Sequence, residues 1–157
     1  MTEIHQILTN DTIRVGLPGL TKDEVMNNLV DLLKGHPAVH DPEEVRNAVF
    51  ERERIMSTGV GKGLGLPHAK TAGVDDTVAA FALTERPIDF GAIDGKPVRL
   101  LFLLVGNEQS KSQHIKLLSR ISRLMNRDSF RDRLLKARTP QELLRIFQEG
   151  EMQLMEH

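Results

Sequence analysis

Two segments of this chain are apolar and of strand length: Thr77–Thr84 (TVAAFALT) and Val98–Val105 (VRLLFLLV). The second is almost unbroken. A strand with one wet face alternates apolar and polar residues, so a strand without alternation must be covered on both faces. That constraint demands a sheet with other elements packed against it. The segment PIDFGAIDGKP joins the two strands, with Asp94-Gly95 as its turn. So short a link suits antiparallel neighbours.

The covering elements carry clear start and stop signals. A short strand, Ile13–Leu17, precedes TKDE, in which Thr21 is a helix N-cap and Glu24 its capping-box partner. Val25, Met26, Leu29, Leu32 and Leu33 follow at helical spacing, and Gly35 ends the helix. Asp41, Pro42 and Glu44 open a second helix, with Val45, Ala48 and Val49 as its apolar stripe. In residues 57–68 (STGVGKGLGLPH), glycines at every second position exclude a stable helix and suggest a loop entering one short extended segment. Ser110 and Gln113 form a further capping box ahead of Leu117, Leu118, Ile121, Leu124 and Met125. A helix over about 130–137 and a last one from Thr139-Pro140 to Gly150 complete the order β, α, α, β, β, β, α, α, α. An α/β fold follows, its mixed sheet flanked by helices on both faces.

The 157 residues suffice for a single domain, 1–157, with its core in about 10–150. Cysteine is absent, which removes disulfides and thiolate chemistry and points to the cytoplasm. The 21 Lys+Arg nearly balance 22 Asp+Glu, and six Phe are the only aromatics, so nucleic acid is not an expected partner. No apolar run approaches the roughly 18 residues of a membrane span, and the N-terminus lacks the pattern of a signal peptide. Residues 111–138 hold nine Lys/Arg against two Asp/Glu, which reads first as a solvated helical surface and second as a docking face for an acidic protein. The glycine run fits neither a dinucleotide fingerprint nor a P-loop. No serine sits in a hydrolase elbow. His36 and His40 are separated by Pro37 and share no helix face for a metal.

Three polar residues fall on apolar faces. In Leu64-Gly65-Leu66-Pro67-His68, alternation puts His68 on the side of Leu64 and Leu66, among glycines that permit close approach. His114 shares a helix face with Leu117, Leu118 and Ile121 and lies near a helix N-terminus, which favours anions. Arg52 extends the stripe of Val45, Ala48 and Val49, where a guanidinium needs an anion. Each has a purely structural alternative. The histidines can be satisfied core residues, and Arg52 can reach solvent at the helix end or pair with Glu53 or another carboxylate. Taken together, two imidazoles and a guanidinium suit phosphoryl chemistry: a neutral imidazole nitrogen is a good nucleophile, and transfer needs countercharge on the phosphoryl oxygens.

The stretches RERIMSTGVGKGLGLPHAK, DGKPVRLLFLLV and QHIKLLSRISRLM resemble the enzyme IIA domain of the fructose/mannitol class of the bacterial phosphoenolpyruvate-dependent phosphotransferase system, which includes nitrogen-regulatory enzyme IIA proteins. The resemblance covers about 13–147. It implies a three-layer sandwich with a mixed sheet, here of four to five strands. It implies that His68 accepts a phosphoryl group from the histidine phosphocarrier protein and passes it to an enzyme IIB cysteine or another acceptor. His114 matches the assisting histidine, and Arg52 the arginine of an Arg-Glu pair, with Glu53 beside it. No metal or organic cofactor is implied. Lys62 and Gly65 depart from the commoner N-G-I-A-I-P-H form, and Lys62 is expected to add a cation near the phosphate. A chain holding this domain without a fused transporter favours the regulatory type over sugar uptake. A domain that has lost transfer is disfavoured by the intact trio. The sugar, the regulated target and the oligomeric state stay open.

Overall fold

The computed structural model describes residues 3–155. The outermost two residues at each end of the expected 1–157 domain therefore lie outside the described part. The chain runs α1 (Ile4–Ile7), a single 3-10 turn (Asn10–Thr12), β1 (Ile13–Leu17), α2 (Lys22–Asp31), α3 (Pro42–Ile55), β2 (Gly59–Gly61), β3 (Leu64–Gly65), β4 (His68–Lys70), β5 (Val78–Ile88), β6 (Val98–Gly106), α4 (Lys111–Met125), α5 (Asp128–Lys136) and α6 (Pro140–Met155).

The strands form one mixed six-stranded sheet in the order β1-β5-β6-β3-β2, with β4 also pairing with β6. β5 and β6 are antiparallel, as the short link requires, while β1 joins β5 in parallel. β6 is covered on both faces, as its composition demands. Leu100, Phe102 and Leu104 pack with α4, α5 and α6, and Leu101, Leu103 and Val105 with α2 and α3. On the first face Phe81, Phe102 and Phe130 each stack against Phe147, with centroids 5.1–5.7 Å apart.

The glycine run gives three short strands where one extended segment was expected, so the sheet exceeds the four to five strands foreseen. Gly61, Lys62 and Gly63 all take positive φ (97°, 59° and 77°), which closes a hairpin between β2 and β3. Gly59 lets β2 lie against Ala92, where a Cβ would stand 2.8 Å from the Ala92 Cα.

The caps at Thr21 and Asp41 form, accepting the Glu24 and Glu44 N–H groups at 3.2 Å. The expected box at Ser110 does not. Ser110 makes no side-chain cap bond, and the Gln113 carboxamide instead accepts from Thr77 Oγ1 at 3.5 Å. The expected stop at Gly150 is also wrong. The helix continues to Met155, because Gly150 serves packing: a Cβ there would lie 2.5 Å from the Phe130 ring. The next residue, Glu151, is buried and accepts the N–H groups of Ile4 and His5 at 2.7 and 2.8 Å. It thereby anchors α1, whose only local signal is the Glu3–Gln6 capping box, with the Glu3 N–H donating to Gln6 Oε1 at 2.9 Å. No described helix is long and apolar enough to cross a membrane.

The contact at Gly150 makes a signed prediction. Helix propensity alone favours Ala over Gly by about 1 kcal/mol. The Phe130 clash reverses the sign, and Gly150→Ala should destabilise by about 1–3 kcal/mol in urea unfolding. A stabilised variant would show that the α5–α6 contact is loose.

Candidate functional site

Along one edge of β6, β3 pairs with Leu100 and Leu101, and β4 pairs with Leu104, Val105 and Gly106. Leu66-Pro67 lies between the two short strands. The Leu104 N–H donates to the Pro67 carbonyl at 3.1 Å, so β4 resumes the ladder at His68. Ala69 packs into the α2–α3 core, and His68 and Lys70 line a cleft of about 540 Å³. α3 contributes Arg52 and Ile55 to that cleft, and α4 contributes His114, Ile115 and Leu118. The structure thus gathers all three sequence-predicted residues in one place.

His68 is half-buried, with Nδ1 2.8 Å from the Leu66 carbonyl oxygen. A carbonyl only accepts, so in the neutral ring Nδ1 carries the proton and Nε2 keeps its lone pair. Burial pushes the pKa of His68 below its ordinary value; the Leu66 bond opposes the shift, and the charge of Arg52 adds to it. His114 is 3% exposed, its ring centroid 5.9 Å from that of His68. Its Nδ1 is buried without a hydrogen-bond partner, against Gly106, where a Cβ would stand 2.8 Å away. The carbonyl partner of a satisfied core histidine is therefore missing at Nδ1. Burial, then the neighbouring His68 and Lys70, bring the pKa of His114 down to about 4. Both rings are neutral nucleophiles or donors at pH 7, not cations.

A model of the family described as "Phosphoenolpyruvate-dependent sugar phosphotransferase system, EIIA 2" matches residues 6–150. The chain belongs to this family. It is 34% identical over 146 residues to the nitrogen regulatory protein of Pseudomonas aeruginosa, covering 93% of this chain and 95% of that protein. It is 36% identical over 141 residues to the fructose-specific EIIA component of Haloferax volcanii, covering 90% and 92%. It spans 23% of the length of the fructose-specific EIIABC component of Bacillus subtilis, to which it is 32% identical. The crystal structure of nitrogen regulatory protein IIA-Ntr from Neisseria meningitidis superposes with a TM-score of 0.86 at 30% identity, covering 92% of this chain and 98% of that one.

Within this enzyme IIA domain, Arg52 does not pair with Glu53 but lies in the last turn of α3, partly open to solvent. It is half-buried and donates to the Met56 carbonyl at 3.3 Å, without an ion pair to Glu53. Glu53 is itself buried, accepting from the Thr58 N–H at 2.7 Å, from Thr58 Oγ1 at 2.6 Å and from Lys22 Nζ at 2.7 Å. Lys22 also donates to the Phe90 carbonyl at 3.1 Å and sits 4.4 Å over the Phe90 ring. Glu53 is paired with Lys22 and Thr58 behind the cleft, and Arg52 lines the cleft without an ion pair to it. Sequence reasoning missed Lys22 and Lys70. Lys70 was recoverable, because it stands two residues from His68 and period-two alternation gives them one side. Lys22 was not, since nothing local links it to Glu53.

The two departures from the commoner family form resolve differently. Lys62 does not join the phosphate site. Its ammonium donates to Asn126 Oδ1 at 2.6 Å, at the far end of α4 from His114. Twelve residues of helix separate the two positions, about 18 Å. Gly65 is set by packing: a Cβ would come 2.8 Å from Leu101 Cδ2 and 3.2 Å from the Phe90 ring.

The low pKa of His114 predicts how stability follows pH. Its folded value of about 4 lies below the ordinary 6.5, so the unfolded chain binds more protons between those limits. The contribution is whole above pH 6.5 and shrinks as pH falls toward 4, by about 3 kcal/mol in the limit. His68 acts in the same direction. Denaturant unfolding should be steeper in pH for the native chain than for His114→Gln over this window. Equal slopes would mean that His114 titrates normally.

Proposed function

We propose that this chain is a phosphocarrier whose His68 Nε2 accepts a phosphoryl group from the phosphorylated histidine phosphocarrier protein. One observation carries the reading: the Leu66 carbonyl holds the His68 proton on Nδ1, at 2.8 Å, and leaves Nε2 bare in a cleft beside His114 and Arg52. The donor's P–N bond breaks as the bond from phosphorus to Nε2 forms, and the donor imidazole takes back its electron pair. The accepting ring, still protonated at Nδ1, becomes cationic, and the Leu66 carbonyl shares that charge. Arg52 and Lys70 balance the phosphoryl oxygens, which is the main demand of such a transfer. His114 has Nδ1 sealed against Gly106, so its other nitrogen is the one that serves the cleft; it assists and does not carry.

The regulatory type is favoured, because the fold matches IIA-Ntr of Neisseria meningitidis at a TM-score of 0.86. In that role the phosphorylation state of His68 governs a target protein, and the chain works in the cytoplasm with its donor. The alternative is sugar uptake, favoured by 36% identity to the fructose-specific EIIA component of Haloferax volcanii. It requires an enzyme IIB cysteine outside these 157 residues, which contain none.

Incubation with phosphoenolpyruvate, enzyme I and the phosphocarrier protein should leave an acid-labile, base-stable phosphate. His68→Ala should abolish the label. His114→Ala should still take it up and pass it on poorly, and Arg52→Ala should slow uptake by about 10²-fold or more. A fully labelled His68→Ala ends the reading. Rapid discharge to a sugar-specific enzyme IIB would favour uptake over regulation.

A further inference from the structure

A second groove lies between the β2–β3 hairpin and the C-terminal half of α4, with a volume of about 410 Å³. It shares no lining residue with the His68 cleft. The volume is in the range of metabolite sites. Leu64 and Met125 give it an apolar base, and Ser119, Ser122 and Arg123 reach it from α4 at helical spacing.

Its charges are unbalanced. Among the described residues Arg123 has no carboxylate partner, and the Lys62 ammonium is held by the neutral carboxamide of Asn126 at 2.6 Å. Two cations thus line one groove that has no carboxylate among its lining residues; Asp94 is bound to the Lys62 backbone N–H at 2.9 Å and does not pair with the ammonium. Lys62 also adopts φ +59°, between two glycines that take positive φ more easily. A glycine at position 62 would relax that turn, which the Asp94 carboxylate supports by accepting the Lys62 N–H at 2.9 Å; the turn places the lysine side chain over the groove.

We propose that this groove binds a small organic phosphate monoester. The guanidinium fork, the ammonium and two hydroxyls supply more donors than a carboxylate uses, and they suit a dianion with three oxygens. The apolar base takes the carbon body of the ester. The bound phosphate displaces Asn126 Oδ1 from Lys62 and ties the hairpin to α4. Both elements lead to the transfer site: the hairpin runs on through Pro67 to His68, and α4 begins beside His114. If the phosphocarrier reading holds, occupancy of the groove is an input to it, but binding itself does not depend on that reading.

The test is a nuclear magnetic resonance titration of the unphosphorylated protein with glycerol 3-phosphate, with glycerol and inorganic phosphate in parallel. Glycerol 3-phosphate should give saturable amide shifts over 61–64 and 119–126, glycerol none, and inorganic phosphate a weaker response. Arg123→Ala and Lys62→Gly should each weaken binding about tenfold. Lys62→Gly removes the cation while easing the turn, so lost binding there is not lost folding. His68→Ala should bind as the native chain does, which separates this claim from the phosphocarrier reading. Absent saturation, shifts confined to His68 and His114, equal affinity for inorganic phosphate, or undiminished binding by both groove variants would each overturn the proposal.

Discussion

The break in the ladder at Leu66-Pro67 governs this molecule. β3 and β4 share one edge of β6, and a proline between them supplies no N–H to that edge. Its carbonyl takes the Leu104 N–H, while the Leu66 N–H turns the other way, to the Thr58 carbonyl at 2.9 Å. The Leu66 carbonyl is left out of the sheet. It finds the Nδ1 of His68, two residues on. A backbone irregularity thus selects the tautomer of His68, with no acidic side chain needed. An aspartate in that place would hold the same proton but would also raise the pKa of the imidazole. The neutral carbonyl orients His68 and opposes the effect of burial without reversing it, so the pKa stays below its ordinary value.

Charge around the ring is arranged by separation. Glu53 neighbours Arg52 in sequence and could cancel it. It is instead drawn behind the cleft by Thr58 and Lys22. Removing one partner of such a buried pair leaves an uncompensated charge, which is costly. Lys22 therefore matters to the cleft without lining it. The result is a cleft of two imidazoles with Arg52 and Lys70 at its margin, where the one lining carboxylate, Glu51, is paired with Arg54. A double-cation site made of protonated histidines would bind phosphate more tightly and release it less readily.

Much of this was legible in the chain itself. β5 and β6 announced themselves through composition, and the caps of α2 and α3 through residues three apart. His68, His114 and Arg52 stood out because each is polar on an apolar face, a signal that survives without any knowledge of contacts. What failed was what depends on distant partners. α1 is held by Glu151, 147 residues from Ile4. Gly150 looks like a helix stop until Phe130 is seen beside it. Ser110 and Gln113 match a capping box in spacing, but Thr77 takes the carboxamide.

Three glycines teach a related lesson about the reactive edge. Gly59, Gly65 and Gly106 each face an atom that a Cβ would strike at 2.8 Å: the Ala92 Cα, Leu101 Cδ2 and His114 Nδ1 respectively. None of the three takes a positive φ, so backbone freedom does not explain them. They are spacers of zero thickness. Gly59 lets the hairpin lie flat, Gly65 lets β3 seat against β6, and Gly106 lets His114 settle beside His68. Gly59 and Gly65 belong to the alternating run read in the sequence as a loop, whereas Gly106 ends β6 and is the one that lets the His114 ring lie with its centroid 5.9 Å from that of His68.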